Sequence, residues 1–487
     1  MSHPSPNHSL ASLQARHGAR YRWLLLLSVM VGTMASVMSS TIVNVAIPDM
    51  SHHFALGQER AQWVTSGFMA AMTVSMLTTP WLLARFGYRH TYSGCMWLLL
   101  AGGMVGGFAQ HFPLVLLARV AEGLAAGVVQ PIPAIIILRA FDVREQGRAS
   151  GIFGTGVVLA PALGPSIGGL LVDAFGWRSI FFMVVPFCLI SLWLARRYVP
   201  TTAPGGAEVD PDAVLDWRGL LLASAGTLCL LNGLVDLSRG NQTSAWLLLA
   251  GGAVALLAFT VLQRHMLHRW RHASGIAPLM NLSLFANRRF VMGSIVSFIY
   301  GTTLFGSTYL LPVYMQMGLG MSASLVGVIM LPAGLVLAVA ITVVGRLVDR
   351  HQTHHLVSTG MALLAASFAL MMTVNGHPHT TMVVLLVVWA SLGRIGLGFI
   401  VPSLNVGAMR GLHRADIPQG ASVINFLRML GGAAGVSLCG IVLEWRLAAH
   451  GENRPAAFDD TFLFLAAVCA LALLAAWRLR DAPAQGR

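Results

Sequence analysis

The chain has 487 residues, 56% of them hydrophobic and 10% charged, with a mean hydropathy of +0.71. A soluble domain carries roughly a quarter charged residues, so this composition excludes a soluble globular protein and points to a bilayer. Basic residues number 31 against 18 acidic ones, and every basic residue is Arg. They stand singly or in pairs between apolar runs, which excludes a polyanion-binding patch and nucleic acid as a partner.

Residues 1–22 are polar and rich in His, Ser and Pro, without a signal-peptide pattern. They read as a disordered cytoplasmic tail ending in Arg16, Arg20 and Arg22. Beyond them, apolar runs near the ~20 residues needed to span a bilayer recur fourteen times. Their ranges are 23–48, 61–82, 91–110, 113–139, 147–172, 177–197, 217–236, 245–264, 290–316, 323–346, 355–375, 381–409, 418–444 and 460–479. An even count puts both termini on one side. With the termini inside, twenty-three arginines fall in inner segments and five in outer ones, so both termini are expected in the cytoplasm. Arg119, Arg394 and Arg428 lie within spans.

Polar connections at 198–216 and 265–289 divide the spans. The expected organisation is a tail over 1–22, a six-helix half over 23–200, a linker with two extra helices over 201–289, a second six-helix half over 290–480 and a short cytoplasmic tail over 481–487. The turn containing Arg85, Gly87 and Arg89 follows the second span of the first half. Its echo, Gly345, Arg346, Asp349 and Arg350, follows the second span of the second half, as expected of related halves.

Ionisable groups in a membrane span are costly and mark function. Glu122 is the one acidic side chain deep within a span; Arg119, three residues before it, shares its helical face. The pair reads either as a structural tie between helices or as a carboxyl whose proton occupancy is coupled to transport. Asn44, Gln130, Tyr300, Tyr309, Gln316, Asn405, Asn425 and Arg428 are candidates for lining a cavity. Aromatics, methionines and a few amides suit a small amphipathic organic molecule better than an ion or a sugar. Cys95, Cys188, Cys229, Cys439 and Cys469 lack metal-type spacing and read as packed or membrane-facing thiols. There is no phosphate loop, GxSxG elbow or HExxH motif. The expectation is a protein that is not an enzyme, with no catalytic residues, cofactor or metal.

Several segments carry a resemblance. Thr41-Ile42-Val43-Asn44-Val45-Ala46-Ile47-Pro48, Arg119-Val120-Ala121-Glu122-Gly123, Gly164-Pro165-Ser166-Ile167-Gly168-Gly169, Trp177-Arg178 with Pro186, Gly345–Arg350 and Arg428-Met429-Leu430-Gly431-Gly432 are together similar to the fourteen-span drug:proton antiporters of the major facilitator superfamily, EmrB/QacA type. The resemblance implies an all-α integral membrane fold of two six-helix halves with an inserted central helix pair. It also implies alternating access, proton-driven export across the cell inner membrane, and Gly164, Pro165, Gly168 and Gly169 packed at the interface of the halves. In Gram-negative relatives a periplasmic adaptor and an outer-membrane channel are implied partners. Three positions depart from the pattern: Ser39 replaces an Asp, Ala84 replaces an Asp in the first basic turn, and Val184 replaces an Asn. Glu122 itself replaces the Gln of the RxxQG motif, which moves the expected membrane carboxylate from position 39 to position 122. Export of one specific metabolite, and a membrane sensor that has lost transport, are the alternative readings.

Overall fold

The computed structural model describes residues 10–56, 58–61, 63–201, 209–238, 240–272, 276–451 and 453–479. These residues build only helices and turns. A short helix α1 (Leu10–His17) leads into α2 (Tyr21–His53). The first half continues with α3 (Trp63–Ser75), α4 (Thr79–Phe108), α5 (Phe112–Val129), α6 (Ile132–Ala140), α7 (Gln146–Phe175) and α8 (Ser179–Tyr198). A pair follows, α9 (Trp217–Ser238) and α10 (Gln242–His272). The second half comprises α11 (Arg288–Val313), α12 (Ala323–Val348), α13 (Thr353–Met371), α14 (His379–Gly407), α15 (Ile417–His450) and α16 (Arg454–Trp477).

Without water to satisfy backbone groups, apolar runs in lipid fold as helices. Twelve helical stretches among the described residues are long and apolar enough to cross a membrane, against the fourteen expected. One of the twelve, Trp63–Phe108, is 46 residues long, twice what a single crossing requires. Its backbone breaks at Gly87, where φ is +74°. Only glycine takes that conformation without strain, and a Cβ there would strike the Thr201 carbonyl. Helix α7, 30 residues long, is not among the twelve; the side chains of Pro161 to Ser166 lie outside the described residues.

The expected disordered tail is helical over Leu10–His17. Leu13 is buried in the same apolar cluster as Leu25 and Val29, and the Tyr21 hydroxyl donates to the Tyr198 carbonyl at 3.0 Å. Apolar contact ties down a segment whose polar composition alone suggested disorder. All five cysteines are free, and Cys95, Cys188, Cys439 and Cys469 are buried.

Helices α2 to α8 pack mainly on one another, as do α11 to α16, while α9 packs on α10 and reaches α15. The halves meet along α7 against α12, and along α15 against α3, α4 and α6. Both seams run toward the end of the bundle that carries the basic turns, called here the basic end.

Candidate functional site

The first cluster joins α2 to α5. Glu122 and Arg119 are 0% and 1% exposed. Arg119 Nη1 donates to Glu122 Oε2 at 2.6 Å and to Ser39 Oγ at 2.8 Å, and Ser39 Oγ donates to the same Oε2 at 3.0 Å. Arg119 Nε donates to the Val64 carbonyl of α3 at 3.3 Å, and the guanidinium lies 4.2 Å from the centroid of the Phe68 ring. Gly102 of α4 makes room: a Cβ there would come within 2.6 Å of Glu122 Cγ. The spacing of three residues thus forms the expected ion pair, and the structure adds Ser39 as its third member. Glu122 Oε1 and Arg119 Nη2 are buried without a hydrogen-bond partner. A carboxylate with one oxygen satisfied twice and the other bare has a lone pair on which a proton can be held.

The second cluster lies in the other half. Tyr300 of α11 is buried, Asn425 of α15 is 3% exposed, and Arg428 of α15 and Arg394 of α14 are partly exposed. Arg428 Nη2 donates to Asn425 Oδ1, and Asn425 Nδ2 donates to the Ala421 carbonyl at 2.8 Å. Helix α11, which carries Tyr300, packs against both α14 and α15, the helices of the two arginines. Helices α11 and α15 approach to backbone contact here, since a Cβ on Gly301 would strike the Arg428 carbonyl and one on Gly431 the Phe298 carbonyl. Arg394 was absent from the cavity candidates because no motif contains it. The signal that singled out Arg119, a cation within an apolar span, applies to it equally.

The other candidates are dispersed. Asn44 is exposed and accepts from Thr65 Oγ1 at 2.9 Å; Gln130, partly exposed, ends α5. Tyr309 is 37% exposed and lies beside Gly440. Gln316, in a π-helical turn that follows Pro312, is exposed. At 1.5 Å per residue these two stand about 14 and 24 Å along the chain from Tyr300. Asn405 lies about 17 Å from Arg394, toward the basic end.

Contacts between the halves concentrate at the basic end. Asp349, at the end of α12, accepts from the backbone N–H groups of Gly147 (2.7 Å) and Arg148 (2.8 Å) in the first turn of α7. There the carboxylate meets unpaired N–H groups and the positive end of the helix dipole. Gly345 lies against Gly147 and Gly151, and its Cβ would come 2.5 Å from Gly151 Cα. Thr155 and Thr342 hydroxyls share a 2.5 Å bond. On the other seam Arg139 Nε and Nη2 donate to the Arg414 carbonyl at 3.1 and 2.5 Å.

The glycines expected at this interface are a correction. Gly168 and Gly169 pack on Ile42 and Val45 of α2, within the same half. Gly147 and Gly151, one turn apart and so on one face of α7, meet the other half instead. Gly164 and Pro165 fall where side chains lie outside the described residues. In the first basic turn, where Ala84 provides no carboxylate, Arg85 donates to the Pro211 and Ala213 carbonyls, the latter at 3.0 Å. Asp210 N donates to the Ala84 carbonyl at 2.8 Å. The connecting segment therefore covers this turn. Arg89 Nη2 donates to the Arg196 carbonyl at 2.8 Å, while Arg346 and Arg350 are exposed.

A membrane bundle of two halves joined at one end, with ionisable groups held within each, has the architecture of a secondary transporter. The sequence profile of the Major Facilitator Superfamily matches residues 29–436, and the chain belongs to that superfamily. It is a multi-pass membrane transporter, not an enzyme. It is 28% identical over 432 residues to a multidrug resistance protein B homolog of Mycobacterium tuberculosis, covering 88% of this chain and 78% of that one. The lincomycin resistance protein LmrB of Bacillus subtilis is 25% identical, with coverage of 85% and 84%. Among solved structures, the proton:xylose symporter XylE bound to 6-bromo-6-deoxy-D-glucose superposes with a TM-score of 0.66 at 13% identity, over 94% of this chain and 95% of that one. That likeness concerns the fold.

Proposed function

We propose that this transporter exports amphipathic organic compounds across the cytoplasmic membrane in exchange for protons, by alternating access of its two halves. In this reading the chain crosses fourteen times, because Trp63–Phe108 makes two crossings about Gly87 and α7 makes one. Both termini are cytoplasmic, in keeping with the arginine distribution. The described arrangement is then closed toward the cytoplasm, since the Gly147–Gly345 and Asp349 contacts lie at the basic end. Relatives named for multidrug and lincomycin resistance support the substrate class. A periplasmic adaptor and outer-membrane channel fit as partners of an inner-membrane exporter.

Glu122 carries the proposal of proton coupling. It is fully buried beside Arg119, has one bare oxygen, and receives the hydroxyl of the very residue that replaces the carboxylate of similar antiporters. The cluster keeps one carboxylate next to one guanidinium, moved from α2 to α5. Full-length Glu122→Gln in proteoliposomes under an imposed pH gradient tests this. Substrate-driven proton release is expected to vanish while membrane insertion and gel-filtration profile stay as in the parent. Unchanged proton release would remove Glu122 from the mechanism.

A further inference from the structure

Of the three arginines within spans, Arg119 has an acid and the other two do not. Among the described residues neither Arg394 nor Arg428 forms an ion pair, and Tyr300 stands on the helix that packs against both of theirs. Counted from the basic ends of their helices at 1.5 Å per residue, Tyr300, Arg394 and Arg428 all lie about 17–20 Å deep, near the middle of the bundle. They come from α11, α14 and α15, so the cluster faces the protein interior and not lipid. Each cation placed at that depth costs about 2.5–3.5 kcal/mol on insertion scales. Such an arrangement is satisfied when an anion arrives. A guanidinium presents planar paired donors that match a carboxylate, sulfonate or phosphate, and the Tyr300 hydroxyl supplies another donor. Met429, next to Arg428 in the chain, packs against the buried cluster of Phe68, Met72, Met76 and Ala126, so α15 here meets the first half.

We propose that Arg394, Arg428 and Tyr300 form an anion-binding subsite, so that the compound carried is an amphipathic acid with its anionic head on the arginines. This deepens the export reading and rests on it for the word carried, but binding itself is independent of transport. Three probes that share one body and differ in head group separate the two: 2-naphthoate, 2-naphthamide and 2-naphthylmethylammonium. Binding to purified full-length protein is read by calorimetry, and movement by proteoliposome uptake. Naphthoate is expected to bind about tenfold or more tighter than the amide, as suits charge-assisted paired hydrogen bonds. Arg394→Gln and Arg428→Gln should each lose that preference while amide binding holds, and the Lys replacements should keep part of it. The parent's ranking of the three heads needs no variant, so it decides even where a Gln variant fails to insert. An ammonium that binds as well as the acid, or an acid preference unchanged in both Gln variants, overturns the subsite. Acid binding with no uptake of any probe overturns export and leaves the subsite standing. Uptake of the amide or ammonium without acid preference does the reverse.

Discussion

In the first half, an arginine at mid-membrane is bound to a carboxylate one turn away on its own helix, and a serine from α2 closes the ring. In the second half, Arg428 bonds the Asn425 amide, Arg394 and Tyr300 stand at a similar depth on helices that pack together, and neither arginine has a described ion-pair partner. Lipid opposes both arrangements equally, yet only the first is complete within the protein. A compensated pair is suited to exchanging a proton internally, since the guanidinium remains to stabilise the charge when the proton leaves. An uncompensated pair is suited to taking charge from outside. The two proposals, proton coupling in the first half and anion binding in the second, rest on that difference.

The comparison breaks most readily on stability. Glu122→Ala removes the carboxylate and leaves the Arg119 charge buried and uncompensated, with only the Ser39 hydroxyl and the Val64 carbonyl as acceptors, a change expected to cost about 3–5 kcal/mol. Arg119→Ala with Glu122→Ala should cost less than the sum of the single changes, because the second removes a charge the first has stranded. Arg394→Ala should cost about 1 kcal/mol or less, since no buried partner is abandoned, and Arg428→Ala about 1–3 kcal/mol, since the buried Asn425 Oδ1 loses its donor. Thermal unfolding of the purified variants in detergent reads all of these. Equal losses at the two clusters would mean that the second-half arginines have partners after all.

Next in size is a transfer of the carboxylate. Ser39 Oγ lies 2.8 Å from Arg119 Nη1, so Ser39→Asp combined with Glu122→Gln restores an acid beside the same guanidinium from the opposite helix. Glu122→Gln alone should lower proton release about a hundredfold or more, as expected on losing a proton carrier, and the double variant should regain most of it. A double variant as inactive as the single would tie coupling to position 122 itself and not to the presence of one carboxylate in the cluster.

What the sequence disclosed tracks the distance over which each interaction acts. The Arg119–Glu122 pair was legible because three residues on a helix are neighbours by geometry. The basic turn at Gly87 was legible too, from the glycine and its flanking arginines. Ser39 appeared only as a loss, since its bond to Glu122 spans 83 positions and depends on how α2 is rotated against α5. The same rotation decides which glycines of α7 face the other half: the motif pointed to 164–169, whereas Gly147 and Gly151 make the contact. Arg428 belongs to a motif and Arg394 to none, although both are cations within apolar spans.

Whether the two clusters communicate through motion of the halves is tested at Gly345. A valine there meets Gly151 Cα, backbone that has little freedom to move, so Gly345→Val should part α7 from α12 at a cost of about 1–3 kcal/mol. Naphthoate binding is expected to persist, because the arginines and Tyr300 belong to one half, while substrate-driven proton release fails. Loss of binding along with release would show that the acid needs both halves together at the basic end.

The smallest expected effect belongs to Asp349, a carboxylate that is neither paired with an arginine in the membrane nor left bare. Partial burial at the seam raises its pKa above the ordinary value, and the N–H groups of Arg148 and Gly147 offset only part of that rise. In an arrangement that parts α7 from α12 the carboxyl returns to water and to an ordinary pKa near 3.9. The joined arrangement then binds more protons across the interval, so this contribution is fully present below the ordinary value and is lost as pH rises through the raised one. Hydrogen exchange at Gly147 and Arg148, corrected for intrinsic rate, should therefore show slightly greater protection near pH 4 than at neutrality. Asp349→Asn should flatten that dependence and lower protection throughout, since the amide keeps one acceptor oxygen where the carboxylate has two. Protection that instead rises toward neutrality would mean that the two N–H bonds outweigh burial, making the ionised carboxylate the form that holds the halves together.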